Sequence, residues 1–153
     1  MDLTVRPIVQ ADKADWRFLF DGYNAFYGRS GDTALASEIV ETTWERFFDD
    51  DEPVFALVAG QEGKLVGLVQ YLFHRSTTAI QPSCYLQDLF TLPEARGRGV
   101  GRALIQAVYE KARQDGAARV YWLTHETNVG ARKLYDEVAE NSGFIVYRKM
   151  MEG

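Results

Sequence analysis

Three glycines and three arginines crowd into Arg96-Gly97-Arg98-Gly99-Val100-Gly101-Arg102. Glycine lets a backbone approach a ligand with no side chain in the way. Directly after it, Val100, Ala103, Leu104, Ala107 and Val108 fall at i, i+3, i+4, i+7 and i+8, which predicts an amphipathic helix over 99–115. A helix N-terminus presents unpaired N–H groups and the positive end of its dipole. A glycine-rich turn opening a helix is therefore an anion cradle, suited to a phosphate or pyrophosphate. Arg96, Arg98 and Arg102 add positive charge there, although the chain as a whole carries a net charge of −5. A flexible turn that merely caps the helix is the competing account. Two common phosphate motifs do not fit. The only Gly-Lys pair, Gly63-Lys64, is followed by Leu65, so there is no P-loop. A G-x-G-x-x-[GA] fingerprint fails from Gly97, where Arg102 is sixth, and from Gly99, where Leu104 is sixth.

The elements that must position this turn can be read from periodicity. Leu3 to Ile8 reads as a strand. Helices follow over about 12–27, with Trp16, Leu19, Phe20 and Tyr23 at helical spacing, and over 34–48. The acidic run Asp49-Asp50-Asp51-Glu52 and Pro53 end the second helix. Strands over 54–59 and 64–73 flank Gln61-Glu62-Gly63 as a hairpin. A fourth strand is expected over 83–92. Beyond the 99–115 helix, with Gly116 as C-cap, come an apolar strand over 120–124 and a helix over 128–138. A last strand is expected over 144–150. Helices and strands do not alternate strictly, so the fold class is α/β (α+β) with a mixed sheet.

Composition bounds the function. The chain has 153 residues, 46% hydrophobic and 25% charged, and no repeat or linker, which predicts one globular domain over 1–153. A pI near 5.1 speaks against nucleic acid as a main partner. Apolar runs are too short for a membrane helix, and Met1-Asp2-Leu3-Thr4 lacks a signal-peptide pattern, so a cytoplasmic location is expected. Cys84, the only cysteine, reads as a small hydrophobe on a strand, and no metal site is expected.

The motif Arg96-x-x-Gly99-x-Gly101 resembles the acyl-CoA signature [QR]-x-x-G-x-[GA] of the GCN5-related N-acetyltransferase (GNAT) family. Asp88 to Ala95 is similar to that family's fourth strand running into the loop. Thr124 to Asn128, Ala131-Arg132-Lys133-Leu134-Tyr135 and Gly143-Phe144 match a second block, and Arg6-Pro7 with Asp12 matches the lead into the first helix. The resemblance spans most of the chain. Glu126-x-Asn128 and Leu134-Tyr135-Asp136 look most like the polyamine/diamine and Hpa-type histone/polyamine acetyltransferase branch. It implies a mixed, mostly antiparallel sheet flanked by helices, and direct attack of an amine on acetyl-CoA in a ternary complex. A homodimer is also expected.

The same resemblance distributes roles. The Gly97–Arg102 cradle, with Arg96, would hold the pyrophosphate through backbone N–H groups. The backbone of Leu89, Phe90 and Thr91 would pair with the pantetheine arm and donate to the thioester carbonyl, where charge builds. Asn128 would touch the arm. Tyr135, about two turns away on one helix face, would donate a proton to the departing thiolate. A core aromatic on the Ala131–Leu134–Val138 stripe is the other reading of Tyr135. An amine with a pKa near 10.4 is mostly protonated at neutral pH, so its proton needs an acceptor. Polyamine-type relatives carry a glutamate where this chain has Gln87, which cannot serve. Asp88, re-aimed by a bulge, and Glu126 are the candidate bases; the third option is no dedicated base. The Asp49–Glu52 run and the aromatics Tyr23, Phe26, Tyr27 and Trp44 could attract or hold the amine. A solvated loop and core packing are their plainer readings. The acceptor is expected to be a small amine, a polyamine or a lysine-like group. Two alternatives stay open: a protein or peptide acetyltransferase, and a catalytically weak CoA-binding regulator.

Overall fold

A computed structural model describes residues 2–152. The chain divides between Leu123 and Thr124 into two compact units. The first is built on a five-stranded sheet in the order β1-β2-β3-β4-β5: Leu3–Pro7, Val54–Gln61, Lys64–His74, Ser83–Thr91 and Arg119–Tyr121. The first three pairings are antiparallel and β4–β5 is parallel, so the sheet is mixed and mostly antiparallel. The helices of this unit are α1 (Lys13–Phe26), α2 (Ser37–Arg46) and α3 (Val100–Gln114).

The β2–β3 turn has two residues, Glu62 (φ 54°) and Gly63 (φ 76°), between the paired Gln61 and Lys64. Positive φ at both positions matches the right-handed twist of the strands. In β3, residues 66 to 71 are all buried, so both faces of the strand are covered. The glycine at 67 allows this on one side. A Cβ there would stand 2.7 Å from Val100 and 3.0 Å from Leu104 of α3. On the other side Gln70 meets Trp16 of α1. Residues 67 and 70 differ in parity, so α1 and α3 cover opposite faces. A fully buried Trp16 stacks on Phe20 at 5.3 Å and packs on Trp44 at 5.0 Å, which ties α1 to α2. Trp44 is thus core.

The lead into α1 is fixed by charge. Arg6 grips Asp12 through two hydrogen bonds of 2.8 and 2.9 Å, and the Val9 N–H donates to the same carboxylate at 2.8 Å. Together they hold the Asp12 carboxyl below its ordinary range, the arginine hydrogen bond contributing most. The Asp49–Glu52 run is a loop at the end of α2. Asp49 accepts from the Asp51 N–H at 2.9 Å, and Glu52 lies 3.9 Å from Arg46, so the run answers to its own neighbours.

In the second unit, α4 spans Val129–Val138, with Asn128 just ahead of its first turn. The strand expected over 144–150 is not formed: residues 139–152 adopt neither helix nor strand. Phe144 and Tyr147 are about nine-tenths exposed. Alternating apolar residues make strand formation favourable only where a ladder supplies backbone partners. Here the Gly143 and Phe144 N–H groups turn instead to the side chains of Asn141 and Ser142. The strand expected over 120–124 is cut to Arg119–Tyr121 for a related reason: it pairs with β4 only at Ser83–Tyr85.

Candidate active site

Past Tyr85 the two parallel strands part company. β5 ends at Tyr121, while β4 continues to Thr91 with its other edge still paired to β3. Among the described residues no strand pairs with β4 beyond Tyr85 on the β5 side. An open strand edge offers donors and acceptors to an extended ligand arm. Leu89, Phe90 and Thr91 lie on this stretch. The Phe90 side chain is buried against α1, where a Cβ on Gly22 would come within 2.8 Å of its ring. Only the backbone of Phe90 is thereby available to a ligand. The Thr91 carbonyl accepts from Arg96 Nε at 3.3 Å.

The chain then turns into α3. Gly97 (φ 77°) and Gly99 (φ 83°) are both left-handed, which explains glycine at each. Nothing lies within 4 Å of where their Cβ atoms would stand, so the space in front of the turn is open. The first bond inside the helix runs from the Ala103 N–H to the Gly99 carbonyl at 3.0 Å; the Val100 and Gly101 amides precede it. The first turn carries no acidic residue. Val100 itself faces inward, 2% exposed, so its side chain is packing and only its amide belongs to the cradle. Arg96 lies over the Phe90 ring, 5.9 Å from its centroid, and Arg98 reaches toward Gln61 Oε1 at 3.5 Å. These residues fit a pyrophosphate and an extended arm, the two parts of coenzyme A that such a turn and strand edge would hold.

On the α1 face, β4 carries a bulge. Gln70 pairs with Asp88 but Tyr71 pairs with Leu86, which leaves Gln87 as the extra, exposed residue. Asp88 thereby shares a face with Gln70 and Phe90, toward α1. A chain of hydrogen bonds ends on it. The Trp16 indole Nε1–H donates to Gln70 Oε1 at 2.7 Å, and Gln70 Nε2 donates to Asp88 Oδ2 at 2.7 Å. An indole can only donate, so the amide orientation of Gln70 is fixed and its NH₂ must face Asp88. The Tyr23 hydroxyl is a second donor to this carboxylate. Burial pushes the Asp88 carboxyl above its ordinary range, against those two hydrogen bonds and the nearby charge of Arg29. Burial also raises the Tyr23 hydroxyl, helped by the Asp88 charge, so Tyr23 stays a donor. Gln70, a polar residue inside the run Leu68-Val69-Gln70-Tyr71-Leu72, was the signal in the sequence for this network; Asn24 and Arg29 gave none.

The remaining candidates lie in the unit from Thr124 onward. Glu126 is exposed, and its carbonyl accepts from Arg132 Nη1 at 2.8 Å. Asn128 is half-buried at the head of α4, its carbonyl bonded to the Arg132 N–H at 3.0 Å. Tyr135 is half-buried on α4 itself.

An open β4 edge beside a left-handed glycine turn at a helix head is an arrangement suited to an acyl-CoA-dependent transferase. The model of the Acetyltransferase (GNAT) family matches residues 16–139, and the chain belongs to that family. It is 31% identical over 149 residues to the D-amino-acid N-acetyltransferase HPA3 of Saccharomyces cerevisiae, covering 96% of this chain and 90% of that protein. It is 30% identical over 147 residues to the N-acetyltransferase YhfO of Bacillus subtilis, covering 95% of each. Among solved structures, that of AAC(6')-Iy with the bisubstrate analogue CoA-S-monomethyl-acetylneamine superposes with a TM-score of 0.81. The alignment has 17% identity and covers 99% of both chains, which is a likeness of fold. The protein is an N-acetyltransferase, and its acyl donor is acetyl-CoA.

Proposed function

We propose that the protein acetylates a small primary amine, with Asp88 as the proton acceptor, in a single N-acetyltransferase domain over 1–153. The carrying observation is the Trp16–Gln70–Asp88 chain. It holds one carboxylate at a bulge in β4, half-buried and fixed as an acceptor by two donors. A base needs correct geometry first and a suitable pKa second. Burial supplies the second by making the carboxylate more basic than one in water. Gln87, one residue away, has an amide and is exposed. Glu126 has neither the burial nor the donors that tune Asp88.

The family model runs across the junction at Leu123–Thr124, which supports reading the chain as one functional domain. Acetyl-CoA, when bound, supplies an acyl group activated as a thioester. The Gly97–Arg102 turn binds its pyrophosphate, and the β4 edge from Leu89 to Thr91 binds its arm. Asn128 assists at that arm. Asp88 takes the ammonium proton on Oδ, and the Tyr135 hydroxyl gives a proton to the departing sulfur. The yeast relative's name specifies a free amino acid, which supports a small acceptor over a protein lysine. We take the enzyme to be a cytoplasmic homodimer.

Thiol release from acetyl-CoA over a panel of amines and lysine peptides, followed from pH 5 to 9, tests this. The wild type should show an acid limb in kcat/KM above the ordinary carboxylate range. Asp88→Asn should lose that limb and fall ~10²–10³-fold. An unchanged profile in Asp88→Asn discards Asp88 as base, and turnover of peptides alone discards the small-amine reading.

A further inference from the structure

Arg29 stands near Asp88 and is unusually well held. Gly28 takes φ 80° after α1, the left-handed turn that closes many helices. Its N–H bonds the Ala25 carbonyl at 3.0 Å, and the Arg29 N–H bonds the Asn24 carbonyl at 2.8 Å. The chain thus folds back, and the Arg29 guanidinium comes to lie 5.8 Å from the Tyr23 ring centroid and 5.6 Å from that of Tyr27. Arg29 Nε donates to Asn24 Oδ1 at 2.8 Å, and the buried Asn24 donates in turn to the Phe20 carbonyl at 3.0 Å. These contacts immobilise a side chain that would otherwise sample many rotamers.

With Nε taken, the guanidinium keeps its Nη1/Nη2 edge. Among the described residues no hydrogen bond ends on those two nitrogens, and Asp88 feels Arg29 only as a nearby charge. One tyrosine, Tyr23, connects the two: its ring lies under Arg29 and its hydroxyl donates to Asp88. Tyr23 therefore carries a planar, two-donor cation over its ring and a carboxylate at its hydroxyl.

We propose that Arg29 is the specificity-determining residue for the acceptor, pairing through its Nη1/Nη2 edge with a carboxylate adjacent to the amine, so that the acceptor is an amino acid. The proposal rests on the reading of Asp88 as the amine's partner. The guanidinium fork matches a carboxylate with two parallel hydrogen bonds of about 2.8 Å. A zwitterion puts its ammonium toward Asp88 and its carboxylate toward Arg29, satisfying both charges. A diamine or polyamine would bring a second cation up to Arg29, where like charge repels it. The aromatic edges of Tyr23 and Tyr27, both partly exposed, are left for the acceptor's side chain.

The test compares kcat/KM for leucine and phenylalanine, each as D and L forms, with 3-methylbutylamine and phenethylamine, the same skeletons without the carboxylate. The wild type should prefer the better amino-acid enantiomer of each pair. In Arg29→Gln that preference should fall about 30–100-fold, chiefly through KM, as expected for loss of a charge-assisted pair. Arg29→Lys should restore part of it. Comparing wild type and variant on the same pair cancels the difference in amine basicity. A wild type that favours the bare amines overturns the proposal. So does an Arg29→Gln variant that slows both members of a pair equally, the mark of a helix-capping role alone. Failure of the Asp88 reading shows separately, as an unchanged acid limb in Asp88→Asn.

Discussion

The two halves of the site around β4 are built from different materials. Along the open edge and the turn into α3, the donor of the acyl group would, on the proposed reading, meet backbone: unpaired strand groups, two left-handed glycines and the amides at the head of a helix. On the α1 side, the acceptor would, on the proposed reading, meet side chains: Asp88, Tyr23 and Arg29, each held by a further residue. A backbone site tolerates many side chains provided a few glycines are kept, so one acyl carrier can be held by divergent sequences. A side-chain site changes its ligand with each substitution. The contrast teaches where specificity resides, and it can be broken experimentally.

The sharpest break is Asp88→Asn. It should lower kcat/KM for the amine by ~10²–10³-fold while leaving the dissociation constant of acetyl-CoA unchanged in a binding titration. A large change in that constant would show that the two faces are not separable. Next comes Tyr135→Phe, expected to lower kcat ~10²-fold with little change in acetyl-CoA affinity; an unchanged kcat would return Tyr135 to the role of packing.

Two glycines test the faces through packing. Gly67→Ala would drive a methyl into Val100 and Leu104 and push α3 off the sheet. It should cost about 1–3 kcal/mol in denaturant unfolding and raise KM for acetyl-CoA. Gly22→Ala would press on the Phe90 ring from the other face. The helix gains roughly 1 kcal/mol from alanine, which offsets part of the clash, so a smaller loss is expected, with the amine KM affected. Exchange of these two phenotypes would refute the assignment of faces.

The smallest effect is a slope. The folded-state pKa of Asp88 is raised, so its contribution to stability is present below the ordinary carboxylate pKa and is lost as pH rises through the raised value. Asp88→Asn should flatten that part of the stability–pH curve. Asp12, held low by Arg6, gives the opposite slope: its contribution is present above the ordinary value and lost as pH falls through the lowered one.

What the sequence made legible follows the same division. The cradle could be read because glycine spacing, arginines and helical periodicity are local, and all of it falls within Arg96–Val108. The bulge at Gln87 was foreseen only as a possibility, since one extra residue leaves no mark until the partner strand is known. Gln70, Asn24 and Arg29 were missed as site residues. Gln70 matters through hydrogen bonds to Trp16 and Asp88 on other elements, and Arg29 through its bond to Asn24 and its stacking on Tyr23 and Tyr27, and no spacing rule connects them. The strand expected over 144–150 failed for the complementary reason: its alternation is local, but a strand is not.

The hydrogen bonds that converge on Asp88 all point one way. Trp16 gives to Gln70, Gln70 gives to Asp88, and Tyr23 gives to the same carboxylate. An indole and an amide hold their hydrogens and do not relay them. The Trp16–Gln70 branch is therefore a dead end for a proton on Asp88, and among the described residues the Tyr23 hydroxyl is the one partner that could pass it on. Whatever Asp88 takes from an acceptor leaves past the Tyr23 hydroxyl or directly to water on the exposed side of the half-buried carboxylate.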